Sequence, residues 1–226
     1  MIEKIVQQRL LHRVGAYIAG LFILAFGVAV SINSDLGVSP VNSLPYVLSR
    51  IFGTEVGMWA TTMFVILLII QILILRKDFR WIDATQIIFS FIFGFFLDFT
   101  RWMLGDFQIP TYFGQFFMLV VSIILIAAGL TLIIGAKLVA LPTEALNLAI
   151  VSKIKGAKFH NVKVIADCVL VLLAVIASLL FLGGLHGIRE GTIISAVLIG
   201  KAIPFTRKAL SPVFRLIYKG DGQAEF

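Results

Sequence analysis

The apolar residues of this chain are gathered into six blocks, most of them about 20 residues long, separated by shorter polar stretches. A helix of about 20 apolar residues crosses a hydrocarbon core about 30 Å thick, whereas the core helices of soluble proteins have no reason to share that length. We therefore predict an all-α membrane protein with six transmembrane helices. The predicted spans are 14–33, 57–75, 84–104, 116–136, 162–182 and 191–205.

The composition disfavours the common soluble classes. Charged residues make up only 14% of the chain, against about 25% in a typical soluble domain. The net charge is +7, but Lys and Arg lie between the apolar blocks, which disfavours a nucleic-acid partner. The single cysteine, Cys168, and the three widely separated histidines predict no disulfide, metal site or cofactor. The lipid bilayer is the partner that the composition predicts.

The positions of Lys and Arg predict the orientation of the chain, because cytoplasmic loops are enriched in these residues. With the N-terminus inside, 16 of the 19 lie in predicted inner segments and 3 in outer ones. Both termini are thus predicted to be cytoplasmic. The predicted order is a cytoplasmic N-terminus, a first membrane half, an external loop, a second membrane half and a cytoplasmic, amphipathic basic tail that lies along anionic lipid: 1–13, 14–104, 105–115, 116–205 and 206–226.

Two further segments fit neither a span nor an ordinary loop. Segments 34–53 and 137–156 each follow a span and begin irregularly before a proline, Pro40 or Pro142. Proline suits the first turn of a helix, and Ser39 is a good N-cap in front of Pro40. The helices that follow have about 13 residues, or roughly 20 Å, which is too short to cross the membrane. They are predicted to be either re-entrant or interfacial.

These two segments also match each other, which predicts an internal repeat. Residues of the first half recur in the second at an offset of 102 residues, which becomes 103 after a one-residue insertion and 106 in the last span of each half. Each half contains three spans, an odd number, so the second half must cross the membrane with opposite polarity, as in many secondary transporters. The matched pairs are Gly27 with Gly129, Leu36 with Leu138, Pro40 with Pro142, Leu44 with Leu146, Gly53 with Gly156 and Gly94 with Gly200.

Two tracts carry a resemblance to a known family. Leu36-Gly37-Val38-Ser39-Pro40 follows the first span, and Gly191-Thr192-Ile193-Ile194-Ser195-Ala196-Val197-Leu198-Ile199-Gly200 lies late in the chain. With these tracts the chain resembles the bacterial YczE/YitT-type integral membrane proteins over nearly its whole length. The resemblance implies a multi-pass protein of the bacterial inner membrane, and it implies no particular substrate.

Polar side chains at membrane depth indicate function, because burying them is costly. Asn42 and Glu144 are equivalent in the repeat, in the first turn of each short helix, where backbone N–H groups are unpaired and can hold an anionic group. Glu144 could instead cap its own helix, or bind a proton or cation exchanged for substrate. We predict that Asn42 and Glu144 approach a shared cavity near mid-depth, with Ser39, Thr143 and Asn147 as substrate-binding companions.

Asp98 and Arg101 lie on one face of the third predicted span, three residues apart. Two interpretations fit this pair. It is an ion pair at the membrane interface, or it is a gate or proton-binding site.

Small residues recur at helical spacing on the first and fourth spans and predict close helix contact. We expect these two faces to pack against each other, and the alternative is a homodimer seam. The residues are Gly15, Ala19, Gly27 and Ser31 on the first span, and Ala127, Thr131 and Gly135 on the fourth.

The leading functional interpretation is a small secondary transporter or exporter of an unidentified small molecule or ion, working by alternating access between inverted halves. A non-transporting membrane scaffold or regulatory subunit is the alternative. An intramembrane enzyme is the third interpretation, and the chain contains no phosphate loop, zinc spacing or nucleophile elbow that would support it. No catalytic residue is predicted.

Overall fold

The computed structural model of this protein describes residues 2–217, and their side chains from residue 10 to residue 214. All regular structure in that part of the chain is helical. Two 3₁₀ turns, Arg76–Asp78 and Trp81–Thr85, lie between the third and fourth of the α-helices. The α-helices are α1 (Ile2–Asn33), α2 (Pro40–Phe52), α3 (Val56–Leu75), α4 (Gln86–Leu104), α5 (Tyr112–Gly135), α6 (Pro142–Lys153), α7 (Phe159–Leu182), α8 (Glu190–Ala209) and α9 (Ser211–Ile217).

Five helical segments in the described part of the chain are long and apolar enough to cross a membrane, which confirms the membrane class. Each agrees with a predicted span to within a few residues. The predicted sixth span, 191–205, falls on α8, which has 20 residues but also carries charges at both ends. The five segments are Leu10–Asn33, Val56–Asp78, Trp81–Leu104, Tyr112–Gly135 and Phe159–Leu182.

The long helices run alternately between two ends of the bundle, which we call the Arg13 end and the Arg189 end. At the Arg13 end, Arg13 donates from Nε to the carbonyl of Ala136, 2.8 Å away, just after α5. At the Arg189 end, the amide of Gly191 in α8 donates to the carbonyl of Leu36, 2.7 Å away, just after α1. Helices α1, α4 and α7 run towards the Arg189 end, and α3, α5 and α8 run back.

The two short helices begin at Pro40 and Pro142, as predicted, with 13 and 12 residues. Neither lies flat on the surface, because α2 packs against α3, α7 and α8, and α6 packs against α3 and α7. Helix α6 begins beside Lys163 in the second turn of α7 and ends at Lys153, which pairs with Asp78 beyond the end of α3. The first residues of α6, Pro142 and Thr143, are buried, and its last residue, Lys153, is exposed.

Helices α1 and α5 pack closely along their glycines, as predicted from the small residues. A Cβ added at Gly27 would come within 2.8 Å of the amide nitrogen of Ile126, and one added at Gly129 within 2.6 Å of the amide nitrogen of Leu24. Gly20, which the sequence pattern did not include, also lies in this seam, whereas Gly15 faces open space. This face is thus used inside the chain and is not available as a homodimer seam.

The predicted basic tail departs from the prediction in its first part. Residues 206–209 continue α8, and α9 folds back so that Phe214 packs against Leu132 and against Gly135 of α5. The ring of Phe214 is therefore buried against α5. The predicted tail beyond residue 217 lies outside the described residues, as does residue 1 of the predicted N-terminal segment.

Helix contacts correspond between the two halves of the chain. Helix α1 packs on α4 as α5 packs on α8, and α2 packs on α7 as α6 packs on α3. Two pairs break this correspondence, since α2 also packs on α8 whereas α6 does not pack on α4 in this way. Helices α3 and α4 pack tightly, with Thr61 donating to the carbonyl of Ser90 at 3.2 Å, whereas their counterparts α7 and α8 do not pack against each other in this way.

Candidate functional site

A groove of about 330 Å³ lies at the Arg13 end, between α5, α6 and the start of α7. Its walls are mostly aliphatic, and Phe159 of α7 supplies an aromatic ring. The loop between α5 and α6, residues 136–141, forms one edge. Lys137 and Glu144 are the charged residues of the lining, and Lys137 is exposed. The groove is therefore an apolar space in which a carboxylate and a lysine are the main polar features.

The carboxylate of Glu144 is held by neighbours on α6 and α7. Thr143 donates a hydrogen bond to its Oε2 at 2.7 Å. The Nζ atom of Lys163 lies 3.9 Å from Oε1 and 3.5 Å from Oδ2 of Asp167. The Glu144 side chain is 21% exposed. Two carboxylates thus share one ammonium group, so the cluster has a net negative charge when all three groups are ionised.

Buried polar side chains without a hydrogen-bond partner face the same part of the bundle. The hydroxyl of Tyr17 on α1 is one of them, and its ring lies 4.4 Å from that of Phe89 on α4. Asn147 on α6, one turn after Glu144, is 2% exposed and its Oδ1 has no partner. Buried polar atoms nearly always have partners, so these oxygens point to a polar ligand or ordered water.

The equivalent loop at the Arg189 end, residues 34–39, is sealed. The amide of Val38 donates to the carbonyl of Gly187 at 2.8 Å. Arg189 donates from Nη1 to the carbonyl of Asp35 at 2.8 Å. Gly37 adopts φ +116°, and a Cβ there would come within 2.9 Å of the amide nitrogen of Arg189. The segment 187–192 therefore closes over this loop through hydrogen bonds and close contact.

The loop 136–141 at the Arg13 end lacks a comparable cover. Arg13 also donates to the carbonyl of Lys137, which is equivalent to Asp35 in the repeat. The residues equivalent to 187–192 are 81–86, at an offset of 106. Their 3₁₀ turn packs against α4, and Trp81 is 82% exposed. The two equivalent loops therefore differ in state, one covered and one open to the groove.

Glu144 lines the groove and Asn42 does not, so a cavity shared by the two stays a prediction. Asn42 is buried at the Arg189 end, where its Nδ2 donates to Oγ of Ser39 at 2.9 Å and its Oδ1 has no partner. Ser39 is at the N-cap position of α2, as predicted. Glu144 lines the groove at the other end of the bundle. Helices α2 and α6 both pack against α3 and α7, and they do not pack closely against each other.

Asp98 is engaged at the start of α3. Its Oδ1 accepts a hydrogen bond from the amide of Gly57 at 2.6 Å, so it satisfies one of the unpaired donors of that helix terminus. In the described part of the chain it forms no ion pair with Arg101. The carboxylate therefore acts as a cap supplied by a neighbouring helix, and a role as a gate or proton site stays a prediction.

The capping role makes Asp98→Ala destabilising. We expect a loss of about 1–2 kcal/mol, the range for loss of a helix cap, measured by thermal unfolding in detergent. Asp98→Asn keeps an oxygen acceptor and should lose less. Asp106→Ala removes an exposed carboxylate from the neighbouring loop and serves as the matched control. Unchanged stability in Asp98→Ala, together with altered transport, would support the gate instead of the cap.

Comparison with known proteins places this chain in a family. The sequence profile of the family of unknown function DUF6198 matches residues 11–208, which contain the groove and both loops. The chain belongs to DUF6198. It is 29% identical over 201 residues to the uncharacterized membrane protein YczE of Bacillus subtilis (strain 168), covering 88% of this chain and 87% of that protein.

The chain is also 28% identical over 135 residues to the uncharacterized protein YyaS of the same organism, covering 59% of this chain and 66% of that protein. No solved structure matches the chain. The match to DUF6198 and the similarity to YczE confirm the resemblance that the two small-residue tracts indicated.

The sequence did not predict several residues around the groove and at the covered loop. Asp167 lies inside the fifth predicted span, where the rule that singled out Asp98 applies equally. Lys163 is four residues before it, at the spacing of a helical ion pair. Tyr17 and Arg189 gave no such signal, because their roles depend on contacts with distant parts of the chain.

Proposed function

We propose that this protein is a small secondary transporter, and that its two inverted halves alternate the access to a site between them. The proposal includes six spans, with α8 as the sixth. Its 20 residues correspond to about 30 Å. Helix α8 begins beside Leu36, and Thr206 near its end lies 2.7 Å from the hydroxyl of Thr131 on α5. These contacts support a helix that runs the length of the bundle.

Backbone geometry at equivalent positions supports the inverted repeat. Asp35 and Lys137, which are 102 residues apart, adopt φ values of 57° and 49°. Such values are uncommon for residues other than glycine. Gly53 and Gly156, equivalent after the insertion, adopt 63° and 78°. The same left-handed backbone conformation at equivalent positions supports a duplicated unit better than sequence identities do.

Side-chain packing supports the same duplication. Leu36 packs against Leu119 and Ile123 of α5. Its equivalent, Leu138, packs against the core cluster that contains Tyr17 and Leu21 of α1. Tyr17 and Leu21 are the residues equivalent to Leu119 and Ile123 at the same offset of 102. The loop of each half therefore packs against a cluster that includes residues of the other half's first helix.

The observation that carries the proposal is the different state of the two equivalent loops. A site that alternates between the two sides of a membrane must be closed on one side while it is open on the other. The loop 34–39 is covered by 187–192, and the loop 136–141 borders an open groove with Glu144. This asymmetry is what a single conformation of an alternating transporter requires, and a static scaffold has no need of it.

We propose that the Arg13 end faces the cytoplasm of a bacterium and that both termini lie there. The distribution of Lys and Arg supports this orientation, as does the similarity to a Bacillus membrane protein. In that orientation the structure corresponds to an inward-open state.

Accessibility of two equivalent positions tests the proposal. Val38 is 1% exposed and Ala140, its counterpart in the repeat, is exposed. In a Cys168→Ser background, Val38→Cys and Ala140→Cys are labelled with a membrane-impermeant maleimide in right-side-out and inverted vesicles. We expect rapid labelling of residue 140 from the cytoplasmic side, and slow labelling of residue 38 that comes only from outside. Labelling of both residues from one side would contradict the inverted arrangement.

A further inference from the structure

We infer that the groove binds an amphipathic cation, that is, a small amine with an apolar body whose ammonium group lies against Glu144. The inference rests on the proposed transport function and names its substrate class. Three features of the site support it: the charge of the Glu144 cluster, the apolar walls of the groove and the excess of oxygen acceptors beyond Glu144.

The charge of the cluster favours a cation. Glu144 and Asp167 share the single ammonium group of Lys163, which is 3.5 Å from Asp167 and 3.9 Å from Glu144. Lys163 is thus nearer to Asp167, its neighbour one helical turn away on α7. A second ammonium group at Glu144 would complete two ion pairs. An anion would instead meet the carboxylate of Glu144, with that of Asp167 behind it. Lys137, the other charged residue of the lining, is exposed and has another interaction of its own, so water weakens its attraction for an anion.

The walls favour an apolar body of limited size. The volume of about 330 Å³ is near the lower end for ligand pockets. Aliphatic side chains of α5 and α6 and the ring of Phe159 supply its surface. Burying apolar surface against them stabilises a ligand by about 25 cal/mol per Å². A strongly hydrated inorganic ion gains nothing from such walls, so the walls and the carboxylate together indicate an amphipathic ligand.

A buried acceptor favours a ligand that donates hydrogen bonds. Oδ1 of Asn147 is buried and has no partner, and Asn147 follows Glu144 by one helical turn. An ammonium group has three N–H donors and no acceptor. One donor can bind Glu144, which leaves others for oxygens of this kind. A carboxylate or phosphate ligand offers only acceptors and would leave Oδ1 of Asn147 unpaired.

The test measures binding to protein in phosphatidylcholine nanodiscs by calorimetry, after subtraction of empty nanodiscs. The probes are 3-phenylpropylammonium, the uncharged 3-phenylpropan-1-ol, the anionic 3-phenylpropanoate and methylammonium, which lacks the apolar body. We expect saturable binding of 3-phenylpropylammonium at least tenfold tighter than that of the other three. Glu144→Gln should weaken it at least tenfold and leave the alcohol unaffected. Asp106→Asn, which changes an exposed carboxylate at the other end, is the matched control.

Several results would overturn the inference. Tighter binding of the carboxylate than of the amine is one, and an unchanged affinity in Glu144→Gln is another. A phospholipid that stays bound to both proteins in native mass spectrometry, without displacement by the amine, would assign the groove to lipid. If vesicle labelling supports the inverted arrangement but no amine binds, the proposed substrate class is wrong and the proposed transport function is unaffected. If amine binding depends on Glu144 but the labelling pattern is not observed, the groove binds amines and the proposed transport function is wrong.

Discussion

Replacing Gly94 with leucine is expected to leave little folded protein in the membrane. A Cβ at this position would come within 2.7 Å of the Gly57 carbonyl and would collide with the hydroxyl of Thr61, so α3 and α4 could not approach each other. Overpacking of this kind costs about 1–3 kcal/mol and occasionally more. A leucine against backbone belongs at the upper end, because backbone cannot move aside. Fluorescence-detected gel filtration and thermal unfolding in detergent measure the effect.

The matched control is Gly200→Leu, at the position equivalent to Gly94 in the second half. No atom lies within 4 Å of a Cβ placed there, so we expect normal yield and a melting temperature close to that of the unmodified protein. Equal damage from the two substitutions would mean that α7 and α8 pack as α3 and α4 do, and the described asymmetry of the halves would then be wrong.

Arg189→Ala is expected to open the covered loop. Arg189 bonds to the carbonyl of Asp35, and its Nη1 lies 3.6 Å from the Asp35 carboxylate. Both side chains are exposed, and an exposed pair of this kind contributes about 0.2–1 kcal/mol, which corresponds to a change of up to about fivefold in an opening equilibrium. In the Cys168→Ser background, maleimide labelling of Val38→Cys from outside should rise about two- to fivefold.

Two further variants make this result specific. Arg189→Lys keeps the charge but loses the forked donor geometry, so its labelling rate should be intermediate. Arg50→Ala removes an exposed arginine from the end of α2 and should leave the rate unchanged. A higher labelling rate in both alanine variants would indicate general loosening of the fold. An unchanged labelling rate in Arg189→Ala would mean that this residue does not hold the loop.

Local physics explains which parts of the fold the sequence predicted well. Apolar length requires a helix to cross lipid, so five predicted spans agree with long helices to within a few residues. Proline lacks an N–H and has a fixed φ, so Pro40 and Pro142 mark the first residues of α2 and α6. Small residues at helical spacing allow close approach, and Gly27 and Gly129 meet in the α1–α5 seam.

The candidate site was predicted only in part, because it depends on tertiary contacts. Equivalence in the repeat singled out the first turns of α2 and α6, but it does not say which helices cover them. Of Asn42 and Glu144, Glu144 lines the groove and Asn42 does not. Lys163 becomes part of the site only through the packing of α6 on α7. The cover over residues 34–39 depends on contacts with residues about 150 positions away, such as Arg189 with Asp35.

Distances across both ends of the bundle, measured in the same protein, test alternating access most directly. Pulsed electron paramagnetic resonance in nanodiscs would use spin labels at exposed positions in the Cys168→Ser background. One pair, Asp106 and Leu185, reports on the Arg189 end, and the other, Trp81 and Ala140, on the Arg13 end. On introducing Arg189→Ala, we expect the first distance to lengthen and the second to shorten. Lengthening of the first with no change in the second, or no change in either, would contradict alternating access.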